Sequence, residues 1–129
     1  MAQIKIYGLA SSLRPIRVEL SDVIHSCVVD ALQLPADKRF HRFIALERED
    51  FAYPPGRSER YTIVEISMFE GRSIESKKQL IRLLFERTSV RLGIAAEDLE
   101  ITITETPRAN WGIRGVPADE LGLSYKVEV

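Results

Sequence analysis

Apolar and polar residues alternate from Gln3 to Tyr7, with Ile4 and Ile6 on one side and Lys5 on the other, which predicts a strand. Gly8 is expected to end it. Ser11 or Ser12 offers a hydroxyl that accepts a free first-turn amide, and Pro15 suits a first turn, so a helix is predicted to start there. Ile16, Leu20, Val23, Ile24, Cys27, Val28 and Ala31 then recur at helical spacing and form one buried stripe ending near Leu32. Pro35 blocks its continuation. His41 to Glu47 reads as a second strand, and residues 49–60, with Tyr53-Pro54-Pro55-Gly56, as a loop. Tyr61 to Phe69 alternates again, with Val64, Ile66 and Met68 facing one way and Glu65 and Ser67 the other. Ser73 is placed to cap a second helix whose stripe is Leu80, Ile81, Leu84, Phe85 and Leu92, stopped by Gly93. Leu99 to Glu105 predicts a fourth strand. The alternation of Tyr125, Val127 and Val129 predicts a short strand at the end.

The order is therefore strand-helix-strand, repeated. The chain is expected to be a single domain over 1–129, with repeat units 1–48 and 61–115 joined by a linker at 49–60. A crossover of this kind pairs its strands in parallel and lays its helix on one face. The expected fold class is α+β: a tandem β-α-β repeat giving a four-stranded sheet with two helices on one face. The order also fits a ferredoxin-like split arrangement, used by regulatory and RNA-recognition modules. The third strand's open face offers Ile63, Glu65 and Ser67 rather than aromatics interleaved with basic residues, which disfavours RNA recognition.

Composition narrows the function classes. Eighteen basic residues balance 19 acidic ones for a net charge of −1, and no basic stripe is present, so no nucleic-acid partner is expected. No apolar run approaches a membrane span, and Met1-Ala2-Gln3 does not begin a signal peptide, so a soluble, cytoplasmic protein is expected. The single cysteine, Cys27, excludes an internal disulfide and a thiolate metal cluster, and no metal or cofactor site is expected. His25 and His41 lack a metal partner at suitable spacing and read as structural.

Glu70-Gly71-Arg72-Ser73, Lys78-Gln79-Leu80-Ile81 on the second helix, Ile101-Thr102-Ile103-Thr104-Glu105 and Trp111-Gly112-Ile113 with Gly115 together resemble a 4-oxalocrotonate tautomerase unit. The length and Leu34-Pro35-Ala36 resemble the longer fused members, including malonate semialdehyde decarboxylases. The resemblance implies a homotrimer and a small 2-oxo or enol carboxylic acid bound at a subunit interface. It implies that Arg72 holds the carboxylate, that Trp111 walls the pocket, and that Arg108 and Arg114 extend its positive charge. The family's catalyst is an N-terminal proline, absent here, which leaves the terminal amine of Ala2, or of Met1 if retained, as a weak base. The register implied by Ala2-Gln3-Ile4 starts the chain about one residue short of that catalytic position.

Asp37, after Pro-Ala, lies one place from the aspartate of the decarboxylases, whose own position holds Lys38. Their second arginine is replaced by Glu70, so a decarboxylase is disfavoured. The resulting expectation is a tautomerase-like isomerase with weak or absent proton transfer. The alternatives are a non-catalytic carboxylate-binding or structural homotrimer descended from tautomerases, and a ferredoxin-like regulatory module.

Overall fold

The structure is a computed structural model describing residues 1–129. Its elements are β1 (Ala2–Leu9), α1 (Ala10–Leu13), α2 (Arg17–Leu32), β2 (His41–Leu46), β3 (Thr62–Phe69), α3 (Ile74–Leu92), β4 (Leu99–Thr106) and a small hairpin of β5 (Gly112–Ile113) and β6 (Val116–Pro117). Four strands form one mixed sheet in the order β2-β1-β3-β4. Each β-α-β unit pairs its own strands in parallel, Ile6 opposite Phe43 and Val64 opposite Ile101. The units meet antiparallel through β1 and β3, with Ile4 opposite Ile66. A split arrangement would leave another strand between the two of each unit, so this topology removes the ferredoxin-like alternative.

The α+β class is as expected, and the core sits between sheet and helices. Ile4, Ile6, Val64 and Ile66 pack under Leu20, Ile24, Leu80 and Leu84, all 1% exposed or less. Ser73 caps α3, its hydroxyl accepting from the Ser76 amide at 3.1 Å, and Gly93 ends it at φ 65°. The loop after β2 is pinned from both ends. Phe51 stacks on Tyr61 at 5.7 Å, and the Ser58 amide and hydroxyl donate to the Asp98 carboxylate at 2.7 and 2.5 Å.

Three local expectations are corrected. Gly8 does not end the first strand, because it stays in register with Thr62 and Ala45. The first helix uses neither Ser11 nor Ser12 as a cap. It begins at Ala10 directly out of the strand, and Pro15, lacking an N–H, sits in a 3-10 turn joining α1 to α2. The terminal residues form no strand: Tyr125 to Val129 alternate because one side of an irregular tail packs inward.

The antiparallel pairing of β1 with β3 decides where the site lies. It brings the start of β1 to the end of β3, and the Phe69 amide donates to the Met1 carbonyl at 3.4 Å. The last residues of β4 reach the same end of the sheet, since β4 runs parallel to β3.

Candidate active site

Gly71 makes the turn after β3 at φ 127°, a conformation that L side chains rarely adopt. A Cβ there would also stand 3.2 Å from Val127 Cγ1, so the turn and the tail exclude a side chain together. Ser73 immediately starts α3, which leaves Arg72 at the bend with its side chain turned inward and 4% exposed. Its Nη1 donates to the Phe69 carbonyl at 3.1 Å, while Nε and Nη2 are buried without a partner. Burial pushes the Arg72 pKa down, and Tyr125 and Glu105 oppose that shift. A guanidinium nonetheless stays protonated in proteins. Unpaired buried donors are costly, so this one is poised for an anion.

The Met1 amine lies near enough for the Arg72 charge to act on it. Met1 is 3% exposed, packed with Phe69, Ala118 and Val127, and its amine is hydrogen-bonded to the Tyr125 hydroxyl. Burial, then Arg72, then Arg108 lower the pKa of this amine from 8.0 to about 5, so it is neutral at pH 7. Arg108 follows β4, its guanidinium 6.0 Å from the Phe69 ring centroid and its Nε buried and unpaired. Trp111 meets the same Phe69 ring edge-on at 4.9 Å. Burial raises the pKa of the Tyr125 hydroxyl, against the pull of Arg72, Arg108 and Arg114. The phenol is therefore protonated at neutral pH and able to donate to the amine.

The hairpin and tail close this cluster. Arg114 and Gly115 both have positive φ, 52° and 84°, as the two central residues of a tight hairpin turn require. The Trp111 carbonyl accepts from the Ala118 amide at 2.7 Å, tying the hairpin back on the tryptophan. Beyond it the tail crosses the site and is moored at α3, where Ser73 and Ser76 hydroxyls donate to the Val129 carbonyl at 3.0 and 2.5 Å.

Of the residues singled out from sequence, Arg72, Arg108 and Trp111 come together. Arg114 is exposed in the hairpin turn and reaches the site only through its charge on Tyr125. Asp37 is exposed in the turn before β2, and no hydrogen bond ties it to the cluster. Ala2 is buried in the main core, and with Met1 present its nitrogen is a peptide nitrogen. The Met1 amine itself lies close enough to Arg72 and Arg108 for both cations to lower its pKa. Sequence reasoning missed Phe69 and Tyr125. The usable signal for Tyr125 was the tail's alternation, which marks a packed segment with or without a ladder. No three His, Cys, Asp or Glu side chains converge as a metal site, and no helix is long and apolar enough to cross a membrane.

Chemically, the arrangement combines a neutral amine, a phenol and two cationic forks with free donors against an aromatic wall. It can hold a carboxylate and transfer a proton beside it.

Residues 38–114 match the family model described as tautomerase enzyme. A 2-hydroxymuconate tautomerase of Comamonas testosteroni is 40% identical over 58 residues, 45% of this chain and 92% of that protein. Probable tautomerase YrdN of Bacillus subtilis is 31% identical over 98 residues, 72% of this chain and 75% of its own. A malonate semialdehyde decarboxylase inhibited by 3-bromopropiolate has a similar structure, with a TM-score of 0.79 and 28% identity, covering 94% of this chain and 98% of that one. A fused 4-OT solved as an asymmetric trimer shares the fold at a TM-score of 0.81 and 20% identity, covering 94% and 99%.

Proposed function

Because the chain belongs to the tautomerase family, with residues 38–114 matched, we propose that it binds a small 2-oxo or enol carboxylic acid and transfers a proton between its oxygen and carbon. The observation that carries this reading is the cluster of buried, unpaired donors of Arg72 and Arg108 around Phe69 and Trp111, into which the buried Met1 amine is packed. The arginine donors take the carboxylate, and Phe69 and Trp111 wall the pocket. The amine acts as the base, and an amine with a pKa below the working pH is free to accept a proton. Turnover is slow in this reading. The amine is tied to the Tyr125 hydroxyl, and the Met1 side chain and the tail occupy the space that substrate would enter.

The assembly proposed is a homotrimer in the cytoplasm, with the site at a subunit interface. Fused relatives solved as trimers support it, as does the sheet face opposite the helices, where Lys5, Tyr7, Ile63 and Glu65 lie half-buried without a covering layer. Within each subunit, residues 1–48 and 61–115 act as duplicated units joined by 49–60.

The closed state of the site favours a second reading, in which the protein binds the acid without turning it over. One pair of measurements separates the two. Phenylenolpyruvate ketonisation is followed on the wild type and on Arg72→Leu, and 2-oxo acid binding is measured by calorimetry on both. The proposal expects slow ketonisation, and affinity lower by about tenfold or more in the variant, as loss of a charge-assisted contact of about 1.5–3 kcal/mol implies. Binding without ketonisation gives the non-catalytic reading. Equal affinity in the two proteins removes Arg72 from the site.

A further inference from the structure

The free donors of Arg72 are buried, so an anion reaches them only when a covering element moves. The hairpin and the tail cover them, and the two are held very differently. The hairpin is tied by its own ladder, Ile113 opposite Val116, by the Trp111 amide donating to the Arg108 carbonyl at 3.2 Å, and by the Ala118 amide donating to the Trp111 carbonyl at 2.7 Å. Beyond the 3-10 turn at Ala118–Glu120, the tail makes no backbone–backbone bond to the sheet, the helices or the hairpin. Its two such bonds are local, Leu121 to Ala118 and Val129 to Val127. What holds it is the Tyr125 hydroxyl on the Met1 nitrogen, Val127 against the Gly71 turn, and the Val129 carbonyl on the hydroxyls of Ser73 and Ser76. Two of the groups that offset the burial of the Arg72 charge, Tyr125 and Glu128, also belong to the tail. A segment with so few ties opens at low cost. Gly122 supplies the pivot, since a Cβ there would meet no atom within 4 Å and glycine turns freely.

We propose that residues 122–129 are an autoinhibitory strap over the Arg72 site, which a small 2-oxo acid opens by taking the guanidinium from Tyr125 and Glu128. This rests on the carboxylate-binding reading above and adds its regulation. The closed strap offers Arg72 a phenol and the charge of an exposed carboxylate. An incoming carboxylate replaces both with a full charge in bidentate reach of the free donors. Strap and ligand then compete for one place, and the coupling is reciprocal: binding opens the strap, and a loosened strap binds ligand more tightly. Ser76 is the catch, because its hydroxyl holds the Val129 carbonyl at 2.5 Å and takes no part in the site itself.

Trypsin reads the strap and calorimetry reads the site. Lys126 is exposed, and cleavage after it releases the chain from Val127 on, which intact mass records. The rate of that cut follows the population of the open strap. Saturating pyruvate is expected to speed it several-fold in the wild type and to leave it unchanged in Arg72→Leu. Ser76→Ala keeps Arg72 and the Ser73 cap on the backbone amide of residue 76, and removes one hydrogen bond from the closed strap. It is expected to be cut faster without ligand and to bind pyruvate about two- to tenfold more tightly than the wild type. Val127→Ser, at the other fixed point, is expected to shift both readings the same way. Pyruvate that binds the wild type but leaves the cut unchanged overturns the strap, and pyruvate that slows the cut replaces it with a lid that closes on its ligand. Affinity unchanged in both Ser76→Ala and Val127→Ser overturns the strap as well. In these cases weaker binding by Arg72→Leu leaves the carboxylate-binding reading standing. Pyruvate that binds none of the proteins, the two loosened variants included, overturns both.

Discussion

Arg72 carries a full charge into a place where only one of its nitrogens has a partner. Evolution for stability alone would not leave two donors buried and empty, because each costs desolvation without return. Arg72→Leu therefore loses one bond to the Phe69 carbonyl and gains relief from two unpaired donors. Unfolding free energy is expected to stay within about 1 kcal/mol of wild type or to rise, since apolar replacements of buried charges are often neutral or better. Urea denaturation checks this on the variant used for binding. A loss above about 3 kcal/mol would mark Arg72 as a structural residue. The glycine-arginine turn was legible in sequence because Gly71 and Ser73 carry strong local signals for a tight turn and a helix cap. Tyr125 was not, because a lone tyrosine in a tail has no local signal for what its hydroxyl will meet 124 residues away.

At the scale of elements, the tail is the part of the site that periodicity misassigned. Period-two alternation reports which side chains face inward, and a strand is only one backbone that produces it. Here the tail's fixed points are Val127 against the Gly71 turn and the Val129 carbonyl on the hydroxyls of Ser73 and Ser76. The first helix shows the converse lesson. Its stripe was read correctly from Leu20 to Leu32, yet its start was not, since the chain bends directly from Leu9 into α1 without a side-chain cap. Removing residues 124–129 is expected to leave the sheet and helices folded, because their core lies elsewhere. The Met1 amine would then regain water, and its titration midpoint should climb from about 5 towards 8. An unchanged midpoint in the truncated chain would show that the arginines, and not burial, hold the amine neutral.

Over the whole molecule, the sheet order follows from two crossovers and one antiparallel seam, and the aliphatic strand faces made the first legible. The seam was not, since no residue of β1 specifies that β3 rather than another strand will pair with it. That pairing creates the site by joining the start of the chain to the end of β3. It also gives the fold an unusual pH dependence. The Met1 amine falls to about 5 and His41, half-buried beside His25 and Arg39 and hydrogen-bonded to Ser21, falls to about 4 from 6.5. In both cases the unfolded chain binds the proton more tightly. Their contributions are therefore complete above about pH 8 and are lost as pH falls through 8 to 5 for the amine and 6.5 to 4 for His41. The urea midpoint is expected to be lower at pH 5 than at pH 8, and the reverse order would contradict both assignments.

The central claim is that the Met1 amine is buried and held neutral by that burial and by the charges of Arg72 and Arg108, and it can be read at that atom. Protein labelled with carbon-13 at the methionine α-carbon, with Met1 retained, is titrated by NMR from pH 4 to pH 9, the Met1 signal being assigned by comparison with Met68→Leu. The account predicts a Met1 midpoint near 5, moving upward in Arg72→Leu as one of the two nearby cations is removed. A midpoint near 8, unmoved by that substitution, would place the amine in water and contradict it.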